Sequence, residues 1–276
     1  MTIIEAIILG IIQGLSEFIP ISSTAHMTLA GQIMGLIDAD NPDKWTSFIA
    51  VVQLGTLAAV LVYFRKDIFG ISKDFLGENL SNRKKIKEQS LNSKLGWLIL
   101  IGSIPIVTIG LAVKDIIRSN ITKDPFVIAL SLIIFAVVLM IAELTVKFRK
   151  DMKDISILDS IVIGVGQVFA LIPGASRSGT TITAGLFMGL TRETAARFSF
   201  LLGIPAILGS GLLEFYKASE YLTPNMFIDL LVATIAASIS GYWSIAFLLK
   251  FLQKNSTFLF VFYRIALGLI ILTFFI

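Results

Sequence analysis

The chain has 276 residues, 55% of them hydrophobic and only 15% charged. With a mean hydropathy of +0.86, that leaves too little polar surface for a soluble exterior, so the long apolar stretches read as membrane spans. The absence of cysteine excludes disulfides and thiolate sites, and the net charge of +4 says less than where the basic residues lie. No cleavable signal pattern is visible, because Glu5 interrupts the first apolar stretch and a charged leading segment is missing. Insertion is expected to rely on internal spans.

In chain order, the first apolar region, 3–36, is broken in its middle by proline, glycine and hydroxyl residues. Stretches of roughly 20 residues, long enough to cross, follow near 47–64, 95–113 and 125–147. A second broken region occupies 156–190, followed by spans near 199–216, 226–249 and 257–276. Irregular backbone is tolerated at membrane depth only where protein or a wet cavity satisfies it. Each broken region is therefore predicted to be a re-entrant hairpin that enters the membrane and turns back.

The two broken regions resemble each other. Aligning Gly10–His26 with Gly164–Thr180, with one deletion, pairs Gln13 with Gln167, Pro20 with Pro173 and Ser23 with Ser176. Ser47 and Phe48 then fall on Ser199 and Phe200, and Phe64 on Tyr216. The expected fold is an all-α integral membrane protein made of two repeats, 1–150 and 151–276, each one hairpin plus three spans. An odd number of spans inverts the second repeat, giving broken helices that meet near the bilayer middle. Basic residues cluster in 65–94, 147–153 and 250–254, which places these segments in the cytoplasm. Both termini and the first hairpin then open outward, and the second hairpin enters from inside. The run at 83–87 reads as an ordinary topogenic loop.

Gln13 and Glu17 share a helix face at i,i+4 spacing. Pro20 ends that helix, and Ser22 or Ser23 can cap the next. His26, the only histidine, lies over the same first turn, so Glu17, Ser22, Ser23 and His26 are expected to converge at the break. The plainer alternative has the hydroxyls only capping and His26 only bonding a backbone carbonyl. Buried ionisable groups in a membrane usually serve function, which favours the site reading. The second hairpin carries PGASRSGTT, Pro173–Thr181. Gly174, Ser176, Ser178, Gly179, Thr180 and Thr181 surround Arg177 where a helix starts. Backbone amides at such a start bind anions, and arginine adds a bidentate fork. Here the alternative is a capped helix with Arg177 paired to Glu17, a pairing that phosphate binding can displace. Together the hairpins offer a carboxylate, a hydroxyl nucleophile, an imidazole and an anion cradle, the parts of phosphoryl transfer. A site at membrane depth needs a substrate with a lipid tail.

At these motifs the chain resembles the undecaprenyl pyrophosphate phosphatase family of bacteria, the bacitracin-resistance type. The motifs read Gln13–Glu17, Pro20–His26 and Pro173–Gly179, and the resemblance spans nearly the whole chain. It implies a plasma-membrane phosphatase that converts undecaprenyl diphosphate to undecaprenyl phosphate in the recycling of the cell-wall lipid carrier, dependent on Mg²⁺ or Ca²⁺. Carried over by position, Glu17, Ser23, His26, Ser176, Arg177 and Thr181 fall on active-site positions, and Gln53 on a recurrent glutamine of the first span. Gln13 stands where many members carry glutamate, which removes one anionic metal ligand. The reading taken forward has Ser23 attacking phosphorus, His26 receiving its proton, Arg177 stabilising charge, Ser22 and Thr24 lining the phosphate site, and Glu17 with Gln13 holding the cation. A phosphohistidine at His26 stays open as the second version. The partners expected are the lipid substrate and membrane lipids, with no nucleic acid and with a homodimer left open. The rival class is a polyprenyl-phosphate transporter or flippase, since inverted repeats with broken helices are common there.

Overall fold

The computed structural model describes residues 1–38, 40–81, 83–220 and 223–274. Twelve α-helices are found among them: α1 (Ile3–Phe18), α2 (Ser23–Ile33), α3 (Pro42–Tyr63), α4 (Arg65–Leu76), α5 (Leu91–Ala112), α6 (Lys114–Arg118), α7 (Pro125–Thr145), α8 (Ile157–Val168), α9 (Arg177–Phe187), α10 (Arg192–Ala218), α11 (Pro224–Leu252) and α12 (Phe258–Phe274). Five of these, α3, α5, α7, α10 and α11, are long and apolar enough to cross a membrane, and the chain is a multi-pass membrane protein. The sixth expected span differs: α12 has 17 residues, about 25 Å of helix, and the last two residues of the expected 257–276 stretch lie outside the described ones. The expected cytoplasmic segment 65–94 also contains a helix of its own, α4.

Local chemistry explains the boundaries. Capping boxes open α1, with Thr2 and Glu5, and α8, with Ser156 and Asp159. Asp124 caps α7 and Thr223 caps α11, each followed by proline at the first helical position. Between α1 and α2 the chain is broken over 19–22. Between α8 and α9 it passes through a 3₁₀ turn at Phe169–Leu171 and then Pro173 and Gly174.

The exterior is apolar, and the largely apolar interior also holds buried polar groups. Leu144, Phe262 and Trp243 are more than 60% exposed, as a lipid-facing surface requires. Gln13, Asp159, Gln167 and Arg264 are fully buried. Where helices press together, small residues let the backbones close in. A Cβ on Gly10 of α1 would collide with the Ala233 carbonyl of α11, and one on Gly164 of α8 with the Gly102 carbonyl of α5. The main neighbours are α1 with α11, α3 with α11, α7 with α12, α3 with α10 and α8 with α5. Phe18, Phe64 and Phe200 form an aromatic cluster in the core, with Phe18 edge-on to Phe200 at 5.1 Å, so the residue after Glu17 is anchored to α10.

Polar contacts sort to two ends. At one, Arg192 pairs with Glu143, which also accepts from Thr257, and Arg197 meets Asp67 at 3.3 Å. At the other, Ser47 donates to Glu214 at 2.7 Å and the N-terminal ammonium lies 3.6 Å from Asp229.

Candidate active site

The site forms where the two breaks meet. Glu17 lies in the last turn of α1 and is almost fully buried. Its Oε2 accepts from the Ser23 hydroxyl at 2.7 Å and from Gln13 Nε2 at 2.7 Å. Its Oε1 accepts from Arg177 Nη2 at 2.9 Å. One carboxylate thus ties three groups from both hairpins. Arg177 Nη1 also donates to the Ser199 carbonyl at 3.3 Å. Gly203 makes room for the guanidinium, since any Cβ there would strike it.

Both breaks use the same cap. Ser22 (φ 76°) and Ser176 (φ 70°) sit in the left-handed region, which is sterically costly for a non-glycine residue. Each side chain accepts from the amide three residues on, Ala25 at 3.3 Å and Gly179 at 3.1 Å. The cap places Ser23 and Arg177 at the first helical positions, facing each other across Glu17.

His26 is placed differently from expectation. Its Nδ1 donates to the Ser22 carbonyl at 2.7 Å, which can only accept. Nε2 of the neutral ring then accepts from the Tyr263 hydroxyl at 2.7 Å. The two rings stack with centroids 5.7 Å apart. The expected Ser23–His26 proton path is therefore not formed: Ser23 points to Glu17, because the cap at Ser22 turns the imidazole toward α12.

The anion cradle is also narrower than expected. The Gly179 amide is taken by the Ser176 hydroxyl and the Thr180 amide by the Ser176 carbonyl. Ser176 and Ser178 hydroxyls lie 3.2 Å apart, Ser178 donates to the Ile19 carbonyl, Thr180 to the Arg177 carbonyl, and Thr181 pairs with Ser199. Gly174 (φ +89°) supplies the turn. These residues build the loop and tie it to the first hairpin. From this motif, Pro173 and Arg177 reach the cavity beside the site.

That cavity, about 470 Å³, is also lined by Glu17, Thr24, Gln53 and Gln167. It follows α3 from Gln53 at mid-helix to Thr46 near its start, and α10 from Pro205 to Lys217. Lys114 and Lys123 join Lys217 at the helix ends. The cavity therefore runs from lysines at the helix ends to Glu17 and Arg177 at the two helix breaks.

No group of three His, Asp or Glu side chains able to hold a metal occurs among the described residues, so a cage of protein ligands alone does not fit. A divalent cation that takes one or two protein oxygens and the rest from phosphate and water does fit. Glu17 supplies a carboxylate, and Gln13 Oε1 beside it is buried with no hydrogen-bond partner.

Tyr263, Arg264, Gln167, Ser199 and Gly203 were not expected at the site. Arg264 was readable: it is a lone arginine in an apolar helix, and such groups seldom lack a role. It is fully buried, and its Nη2 donates to the carbonyls of Gly174 and Ala175 at 3.2 and 2.9 Å. Neighbours in sequence, Tyr263 and Arg264 each hold one hairpin tip.

The model of the family described as bacitracin resistance protein BacA matches residues 6–270. Among relatives, the undecaprenyl-diphosphatase of Syntrophobacter fumaroxidans is 55% identical over 97% of this chain and 95% of its own. Those of Chloroherpeton thalassium and Prosthecochloris aestuarii are 46% and 47% identical, each over 99% of this chain and 96% of theirs. With both hairpin motifs inside the matched stretch, the chain belongs to the bacitracin resistance protein BacA family.

Proposed function

We propose that this protein is a membrane phosphatase that hydrolyses undecaprenyl diphosphate to undecaprenyl phosphate and inorganic phosphate. The observation that carries the reading is Glu17 holding Ser23 and Arg177 together across the two hairpins, at the inner end of a cavity in an apolar exterior. The names of the relatives agree with it, and nothing in them favours the transporter alternative.

In this mechanism Ser23 Oγ attacks the terminal phosphorus while its proton passes to Glu17 Oε2, 2.7 Å away. The bond from that phosphorus to the bridging oxygen breaks, and undecaprenyl phosphate leaves as an anion that needs no proton. Arg177, released from Glu17, holds the equatorial oxygens. Water then attacks the phosphoserine, the proton held on Glu17 Oε2 returns to Ser23 Oγ as its bond to phosphorus breaks, and the water proton leaves on inorganic phosphate. Glu17 and Gln13 Oε1 would hold Mg²⁺ or Ca²⁺ together with diphosphate oxygens, and the cation supplies charge neutralisation. His26, braced by Tyr263, fixes the Ser22 turn.

We also read the architecture as an inverted repeat of 1–150 and 151–276 with re-entrant hairpins. Its support is exchange: α1 packs on α11 as α8 packs on α5, while α3 meets its own counterpart α10 and α7 meets α12. The left-handed serine caps recur at Ser22 and Ser176. The distribution of basic segments supports a cavity mouth on the outer face of a bacterial plasma membrane. The deciding experiment is phosphate release from a C55 diphosphate by purified protein, with and without chelator. No release under either condition, from folded protein, sinks the phosphatase reading.

A further inference from the structure

We propose that Gln167 is a phosphate-contacting residue of this site, contributed by the second hairpin; the proposal rests on the diphosphatase reading above. Gln167 is fully buried in the last turn of α8 and lines the cavity with Glu17 and Arg177. Neither its Oε1 nor its Nε2 has a hydrogen-bond partner in the protein. A buried carboxamide with both ends unmatched is rare in a folded interior, and this one borders the space a substrate would enter.

The comparison with Gln13 explains why the amide is left over. Gln13 spends its Nε2 on Glu17, four residues on. In the second hairpin the residue four places after Gln167 is Leu171, which also lines the cavity and has nothing to offer an amide. The backbone of Gln167 is already used, its carbonyl accepting from the Phe169 amide. The side chain cannot easily turn to another partner. A Cβ on the preceding Gly166 would lie 2.8 Å from Ala184 Cβ and 3.2 Å from the Thr180 carbonyl, so this turn of α8 is pressed against α9. That packing fixes the rotation that aims Gln167 into the cavity.

A carboxamide presents a donor and an acceptor side by side. A terminal phosphate that carries both an ionised oxygen and a P–OH group matches that pair. The amide adds no charge to that of Arg177. It selects the orientation of the phosphate group, in the way a site built to hydrogen-bond its ligand rejects one that leaves the site unpaired.

The test uses full-length protein in detergent and the variants Gln167→Leu and Gln167→Met. Three quantities are read: KM for undecaprenyl diphosphate, inhibition by inorganic phosphate, and the thermal midpoint without phosphate. Loss of a substrate hydrogen bond should raise KM and the phosphate inhibition constant about tenfold. The thermal midpoint should hold or rise, since an unmatched buried amide has been removed. The proposal is overturned if KM and inhibition stay within about two-fold of wild type. It is equally overturned if their rise comes with a lower midpoint in both variants, for then the amide holds the fold through internal water. Methionine, unbranched and close to glutamine in length, carries the test if leucine prevents folding. A wild-type protein that releases no phosphate rejects the phosphatase reading; an active wild type with unchanged variants rejects only the role of Gln167.

Discussion

Glu17 and Arg177, 160 residues apart in the chain, form a 2.9 Å ion pair that links the two hairpin tips side chain to side chain. The fork uses one nitrogen for Glu17 and another for the Ser199 carbonyl, an arrangement an ammonium group cannot copy. Arg177→Lys should lower kcat/KM by about 10²-fold or more, as for loss of a transition-state donor. Steady-state phosphate release measures this, and turnover near wild type would remove Arg177 from the phosphate clamp.

Ser23 and His26 separate by the chemistry of the trapped intermediate. Ser23→Ala should abolish turnover, and acid quench of wild-type protein with substrate should yield an acid-stable phosphoester. His26→Ala and Tyr263→Phe should each cost about 10- to 100-fold, because each disturbs the same brace. The double variant should be little worse than either single one. An acid-labile phosphoramidate would instead make His26 the nucleophile.

Gln13→Glu places a carboxylate where Gln13 Nε2 now donates to Glu17 at 2.7 Å. Two carboxylates at that spacing repel unless a proton or a cation lies between them. The variant should lose thermal stability in chelator, recover it with Mg²⁺ or Ca²⁺, and show a steeper cation dependence of phosphate release than wild type. Equal cation dependence in the two proteins would show that this face holds no ion.

Sidedness has a direct readout, since the chain lacks cysteine. Cysteine placed at exposed Ser81 should be shielded from an impermeant thiol reagent in intact cells, and at exposed Ser219 it should be labelled. The reversed pattern would turn the cavity mouth to the cytoplasm.

Much of this was legible because the signals are local. Pro20 and Pro173, each with a capping serine a few residues on, are local helix-breaking signals, so the two breaks and the Gln13–Glu17 face could be read directly. The Glu17–Arg177 pair was readable as the alternative to an open cradle, because two buried opposite charges on facing tips seek each other. The His26–Tyr263 contact spans 237 residues, and no local pattern announces it. Gly203 and Ser199 shape the Arg177 pocket from α10 only once that helix has packed. A Ser23–His26 contact was expected from their proximity in sequence; the left-handed Ser22 cap sends the two side chains in different directions.

The buried ion pair has a consequence for selectivity. Any anion that approaches Arg177 competes with a carboxylate already in place and tethered at high effective concentration. Bilayer phospholipids vastly outnumber the substrate, yet each phosphodiester offers a single charge to set against Glu17. A diphosphate brings more charge and more oxygens, and it can draw the arginine away. When inorganic phosphate is formed, the returning carboxylate helps to expel it. In the proposed mechanism Glu17 would thus act as an internal competitor, one that keeps the site closed to the surrounding headgroups and opens it to the rarer molecule.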